Sequence, residues 1–203
     1  MFWNTDEPHG LPHDPFKSCV VPRPIGWISS VSPDGVVNLA PYSFFNGVSG
    51  DPPMVMFAAG GRQPSGLKDS RANAEATGEF VCNMVTWELR EQMNVSSLPA
   101  AADVDEFELA GLETEPSQLV APPRVKAAPI HLECRYYKTL ELPPGRDGGT
   151  NAIVAGRVVG VHIRDHFLKD GLIDIEQVRP VARMGYQDYT SVESVFTMVR
   201  PRP

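Results

Sequence analysis

Lys68, Asp69 and Ser70 stand just ahead of Arg71-Ala72-Asn73-Ala74-Glu75-Ala76, a run of good helix formers stopped by Gly78. A cation and a hydroxyl at the start of a helix suit one chemistry, the holding of a phosphate. The free backbone N–H groups and the positive dipole end attract the anion, Lys68 adds charge and Ser70 adds a donor. Asp69 would repel such a ligand, so it reads as a cap and backbone organiser. A second candidate is Ala40-Pro41-Tyr42-Ser43-Phe44-Phe45-Asn46. Pro41 has no N–H, so the first part of this segment is expected to run past a barrel rim with its backbone groups free. Taken singly, each feature has an ordinary explanation. Lys-Asp-Ser is a common solvated helix start, Trp27 and Phe44-Phe45 are residues that usually pack a core, and Asn46 before Gly47 can simply close a turn.

Other chemistries find little support. Gly47-Val48-Ser49-Gly50 lacks the GxSxG spacing of a nucleophile elbow, Gly60-Gly61 lacks a GxGxxG context, and there is no Walker sequence. His131 and Cys134 are expected on opposite faces of one strand with no second ligand pair, so no metal is expected. Cys19, Cys82 and Cys134 are odd in number and widely spaced, which fits a reducing compartment better than a disulfide framework. The formal charge of −7 argues against nucleic acid, and no apolar run approaches the roughly 20 residues that span a bilayer. The first residues have neither the basic start nor the apolar stretch of a secretory signal, so a cytoplasmic location is expected.

These residues must be positioned by short elements, because 20 prolines and 17 glycines are spread along 203 residues. Gly26-Trp27-Ile28-Ser29-Ser30-Val31 reads as a strand, Ser32-Pro33-Asp34-Gly35 as a tight turn, and Val36-Val37-Asn38-Leu39-Ala40 as the antiparallel return. Further strands are expected at residues 54–59, 80–85, 130–136 and 151–163, with a turn at 143–149. A helix is expected between 65 and 77, and another from a Thr86 cap to about Met93. The chain is read as one domain, residues 1–203, with an N-terminal arm (1–20), a long Pro-rich excursion (94–129) in which residues 107–112 pack on the barrel, and a tail (190–203). Many short strands without a βαβ rhythm predict a mainly β fold, a β-barrel with a few short helices.

Three ordered blocks then resemble a known family. Pro22-Arg23-Pro24-Ile25-Gly26-Trp27-Ile28-Ser29-Ser30, Asn38-Leu39-Ala40-Pro41-Tyr42-Ser43-Phe44-Phe45-Asn46 and Lys68-Asp69-Ser70 are similar to the flavin reductase-like, FMN-binding split-barrel family, especially its flavoredoxin-like branch. The resemblance continues through Asp105-Glu106-Phe107, Ala110-Gly111-Leu112, Glu133-Cys134 and residues 156–162, covering roughly residues 20 to 190. Ser70 stands where such members usually carry Thr. In Arg183-Met184-Gly185-Tyr186-Gln187-Asp188-Tyr189, Tyr186 replaces a Gly of the family's pattern.

The resemblance implies FMN as cofactor. It places Lys68 and Ser70, with Asp69, at the phosphate, and Ser29 and Ser30 at the phosphate or ribityl chain. Backbone groups of residues 40–46 with Ser43 and Asn46 would hold the polar ring edge, and Trp27, Tyr42 or Phe44 would flank the ring, with Ala40 and Pro41 beside it. Asn46 is the one residue given a tuning role in the chemistry. The implied activity is hydride transfer from NADH or NADPH to bound FMN and onward to a flavin, a protein or oxygen. The rival readings are an FMN electron relay reduced by another protein and a non-catalytic binding module. A homodimer is also implied, since Tyr42, Phe44 and Phe45 are many aromatics for a solvated loop.

Overall fold

The computed structural model describes residues 1–61, 66–146 and 148–201; of the expected elements, Ser65 at the head of the helical segment, Asp147 in the turn and Arg202 and Pro203 in the tail lie outside the described residues. Strands β1 (Arg23–Pro24), β2 (Gly26–Val31), β3 (Val37–Tyr42), β4 (Phe45–Gly50), β5 (Pro53–Gly61) and β6 (Glu79–Met84) come first, with α1 (Asp69–Thr77) between β5 and β6. The excursion carries α2 (Arg90–Val95), α3 (Glu106–Leu109) and the short pair β7 (Thr114–Glu115) and β8 (Arg124–Val125). The long hairpin β9 (Ile130–Leu142) and β10 (Thr150–Ile163) follows, then β11 (Leu168–Lys169), β12 (Leu172–Ile173), α4 (Ile175–Val178), β13 (Val181–Gly185) and β14 (Asp188–Ser191).

Seven antiparallel strands form one sheet in the order β3-β2-β6-β9-β10-β5-β4. Its two edges, β3 and β4, are consecutive in the chain and joined only by Ser43 and Phe44. The sheet therefore curls until its edges are neighbours that do not pair, which makes a split β-barrel, mainly β with four short helices among the described residues. The Ala58 N–H donates to the Phe44 carbonyl at 2.8 Å and pins the link to β5, while the Tyr42 ring packs 4.9 Å from that of Phe57. Ile28, Phe57, Phe80, Cys134 and Val154 fill the barrel, and Ala74 of α1 joins them. At Gly156 a Cβ would fall 2.3 Å from Phe80 Cζ, so β10 passes that ring only because it has no side chain there.

β2 is buried on both faces. Ile28 points into the barrel, whereas Trp27 belongs to a second cluster with Leu39, Val85, Met93, Phe107 and Val125. The excursion is thus the second layer of the molecule, and Phe107 seals it as expected.

Several elements differ from the sequence reading. β3 continues through Pro41, paired opposite Trp27, to Tyr42, instead of leaving the sheet at Ala40. The physics that disfavours proline in a ladder does not apply at an edge strand, where one side has no partner. Residues 45–50 form the other edge strand, with Asn46 opposite Met56. Thr86 does not cap a helix: it bridges to Pro180, and α2 starts after Leu89. Lys68 occupies the N-cap position of α1 and Asp69 is its first helical residue. Tyr42 and Phe45 pack against the chain's own barrel core, leaving Phe44 as the exposed member of the three aromatics. Among the described residues no helix is long and apolar enough to cross a membrane, and no group of three or more His, Cys, Asp or Glu could hold a metal.

Candidate functional site

A cleft of about 950 Å³ opens where the barrel is split. One wall is the end of β3 and its link to β4. A second is made by the facing ends of β5 and β10, and the start of α1 forms a third. Residues 96–100, just after α2, cover it, and Lys17, Arg23, Arg183 and Tyr186 stand at its margin. The volume lies toward the large end of small-molecule sites, which run to about 1,000 Å³.

Eight of the residues singled out from the sequence are brought together here: Ala40, Pro41, Tyr42, Ser43, Phe44, Lys68, Asp69 and Ser70. Four are not among its lining. Trp27 is fully buried behind the wall, its Nε1–H donating to Ser96 Oγ at 2.9 Å, so it supports the covering segment rather than facing a ligand. Ser29, also fully buried, donates its hydroxyl to the Pro123 carbonyl at 2.6 Å and accepts from Asn83 Nδ2 at 3.1 Å. Ser30 accepts from Asn73 Nδ2 at 3.1 Å, which ties β2 to α1. Asn46 is exposed on β4, outside the cleft lining.

α1 presents Lys68 because its own geometry is fixed from below. The Arg71 Nε–H donates to Glu75 at 2.8 Å, and the guanidinium reaches Glu141 at the end of β9. Gly78, in the left-handed region at φ 77°, ends the helix and donates to the Ala74 carbonyl at 3.0 Å. The N-cap residue Lys68 makes no side-chain capping bond, so among the described residues its side chain is not tied to the first turn of α1. Ser70 offers less than expected: its hydroxyl is fully buried and donates to Asn38 Oδ1 at 2.8 Å. The Asn38 amide in turn donates to both Glu106 oxygens at 3.0 Å, and the Leu39 N–H adds a third bond at 2.9 Å.

The titratable groups of this polar floor are shifted chiefly by burial. Burial raises the Glu106 carboxyl above its usual range against the pull of Leu39 and Asn38, and the nearby Asp69 charge raises it further. Burial likewise raises Asp69, against its own N–H and Lys68. Tyr42 is pushed up to about 12, first by burial, and stays a neutral phenol.

Sequence reasoning left Lys17, Arg23, Asn38, Glu106, Arg183 and Tyr186 off the site. Arg23, Asn38 and Glu106 lie within or beside the resembling blocks, but nothing in their order shows that they meet. Tyr186 sits at φ 44°, a left-handed conformation that glycine adopts without strain, which is a physical reason for a Gly to suit this place.

Residues 18–181 match the family model described as the flavin reductase like domain. An uncharacterised protein of Aquifex aeolicus is 39% identical over 171 residues, covering 84% of each chain. Among solved structures, nitrilotriacetate monooxygenase component B from Bacillus cereus is 29% identical, covers 98% of both chains and superposes with a TM-score of 0.87. The flavoredoxin of Desulfovibrio vulgaris shares the fold at a TM-score of 0.75 with 18% identity, over 88% of this chain and 91% of that one. With the split barrel, the cleft at its seam and a family match over most of its length, the chain belongs to the flavin reductase-like family.

Proposed function

We propose that the cleft binds FMN and that the protein works as a flavin-dependent oxidoreductase, taking hydride from NADH or NADPH and passing electrons to a flavin, a protein or oxygen. The observation that carries this reading is the meeting, in one cleft of adequate size, of residues 40–44 and the cationic start of α1. Lys68 would neutralise the phosphate, assisted by the helix dipole. Phe44, exposed at the seam, would cover part of the ring, and backbone groups of residues 43–45 would hold its polar edge. Ser70 acts through Asn38 and Glu106 as a positioning residue. Bound flavin supplies the redox chemistry; the chain supplies position, electrostatics and access.

Two rivals remain distinct, a relay reduced by another protein and a non-catalytic FMN module. Anaerobic mixing of FMN-loaded protein with NADH and then NADPH separates the proposed activity from both: flavin absorbance near roughly 450 nm is expected to bleach with one or both. Bleaching by neither nucleotide leaves only the rivals. In the same preparation, Lys68→Ala is expected to weaken FMN by about 10- to 100-fold, the loss of a charge-assisted bond of about 1.5–3 kcal/mol, without weakening riboflavin. Equal losses for both ligands would move the phosphate elsewhere.

We also propose a homodimer. Val195, Phe196, Met198 and Val199 are all exposed beyond β14, with Phe196 at 86%, an apolar run without cover from the described residues. Light scattering is expected to give twice the chain mass, and a stable monomer that keeps full FMN would reject this arrangement. The exposed free thiol of Cys19 suits a cytoplasmic setting.

A further inference from the structure

We infer that Lys17, Arg23 and Arg183 form a second anion subsite at the margin of the cleft, which takes a phosphate of the molecule that exchanges electrons with bound FMN. This rests on the flavin reading of the cleft. The sources of that phosphate are the pyrophosphate of a reduced nicotinamide dinucleotide or the phosphate of a second flavin.

The argument starts from an arrangement that is unfavourable without a ligand. Arg23 of β1 lies directly opposite Arg183 of β13 in antiparallel register, and like charges placed opposite one another across strands are destabilising. Arg23 is only 5% exposed, yet none of Lys17, Arg23 and Arg183 pairs with a carboxylate among the described residues. The Arg23 guanidinium is held by carbonyls alone, donating to Lys17 and, at 2.7 Å, to Val20, while its Nε–H is buried with no acceptor. A buried charge that is neither paired nor fully hydrogen-bonded is costly. Burial and the Arg183 charge both press Arg23 toward the neutral form, so the strain is electrostatic.

Arg183 is held as firmly, and equally without neutralisation. It donates to the Tyr189 hydroxyl and the Tyr186 carbonyl and lies 4.3 Å over the Tyr189 ring. The Arg23 guanidinium lies 5.5 Å from the Phe44 ring centroid, so the cluster borders the aromatic expected to cover the flavin. All three cations line the cleft, on elements separate from α1 and Lys68. With the FMN phosphate assigned to Lys68 and the start of α1, these three cations are left for another anion, and a molecule docked on the flavin brings one. Guanidinium pairs are the chemistry that recognises phosphate oxygens.

The test uses FMN-loaded protein and inorganic pyrophosphate as the probe, measured by calorimetry. Wild type is expected to bind it, and Arg183→Gln to weaken that binding about tenfold. Lys17→Gln, an exposed position, serves as a second variant, so the result does not depend on the buried Arg23. The FMN-to-riboflavin affinity ratio is read in parallel. If Arg183→Gln lowers that ratio, the cluster holds the cofactor's own phosphate and this inference is overturned while the flavin reading stands; if wild type binds no flavin, it is the flavin reading that fails. The sources are separated kinetically by comparing NADH with a phosphate-free dihydronicotinamide as donor, and free FMN with riboflavin as acceptor. A tenfold fall in the NADH preference assigns the subsite to the donor, and a fall in the FMN preference assigns it to the acceptor. No pyrophosphate binding by wild type, or no change in either preference, overturns the subsite.

Discussion

Trp27→Ala is expected to remove about 3–5 kcal/mol of folding stability, the range for truncating a fully buried aromatic. The indole has no exposure, sits among Leu39, Val85, Met93 and Phe107, and donates to Ser96, so truncation opens a cavity and removes the donor that the buried Ser96 hydroxyl accepts from, leaving it only its own bond to the Met93 carbonyl. Domains of this kind have about 5–15 kcal/mol in total, so the variant should sit near its unfolding threshold. Urea unfolding followed by far-ultraviolet circular dichroism checks this. The contrasting variant is Phe44→Ala, at the exposed seam, which is expected to keep its unfolding midpoint. An unchanged midpoint in Trp27→Ala, with flavin affinity lost, would return the indole to the ring wall that the sequence reading gave it.

Lowering the pH from about 6.5 to about 4 is expected to cost about 3 kcal/mol of stability through His131 alone. This side chain of β9 is fully buried, with Nε2 2.8 Å from the Val125 carbonyl of β8. A carbonyl only accepts, so Nε2 carries the hydrogen; Nδ1 is buried without a partner among the described residues. Burial above all, with the charges of Arg124 and Arg164 nearby, lowers its pKa from 6.5 to about 4. Between those values the unfolded chain binds a proton that the folded chain refuses. The contribution is therefore complete above the unfolded value, declines as pH falls, and is gone below the folded value. His131→Gln keeps a donor for Val125 but cannot titrate. Unfolding free energies of the two proteins measured at several pH values from 7 to 4 should diverge by that amount, and parallel curves would show that other groups govern the acid limb.

The elements with strong internal patterning were legible. The apolar run of β5, the alternation in β9, the β-branched stretch of β10 and the helix stopped by Gly78 all appear close to where the residues indicated. β4 was not legible because Phe-Asn-Gly-Val-Ser-Gly has two glycines and no alternation, and only its pairing with β5 makes it a strand. The orientation of Trp27 was equally hidden. β2 is buried on both faces, so parity cannot say whether the indole faces the barrel or the excursion. The candidate site divides in the same way. Contiguous blocks such as Lys68-Asp69-Ser70 could be read in order, whereas the opposition of Arg23 and Arg183 depends on a pairing between distant segments.

The order of strands in the barrel also has a consequence for synthesis. β5 finds its second neighbour in β10, so the strand at Pro53–Gly61 waits for Thr150–Ile163 to leave the ribosome. Until then a long apolar edge is open, the condition under which nascent β proteins pair wrongly or aggregate. Closure demands contacts between segments far apart in sequence, which slows folding relative to helical chains of this size. The barrel is thus a late product of translation, and the hairpin of β9 and β10 is the piece that completes it.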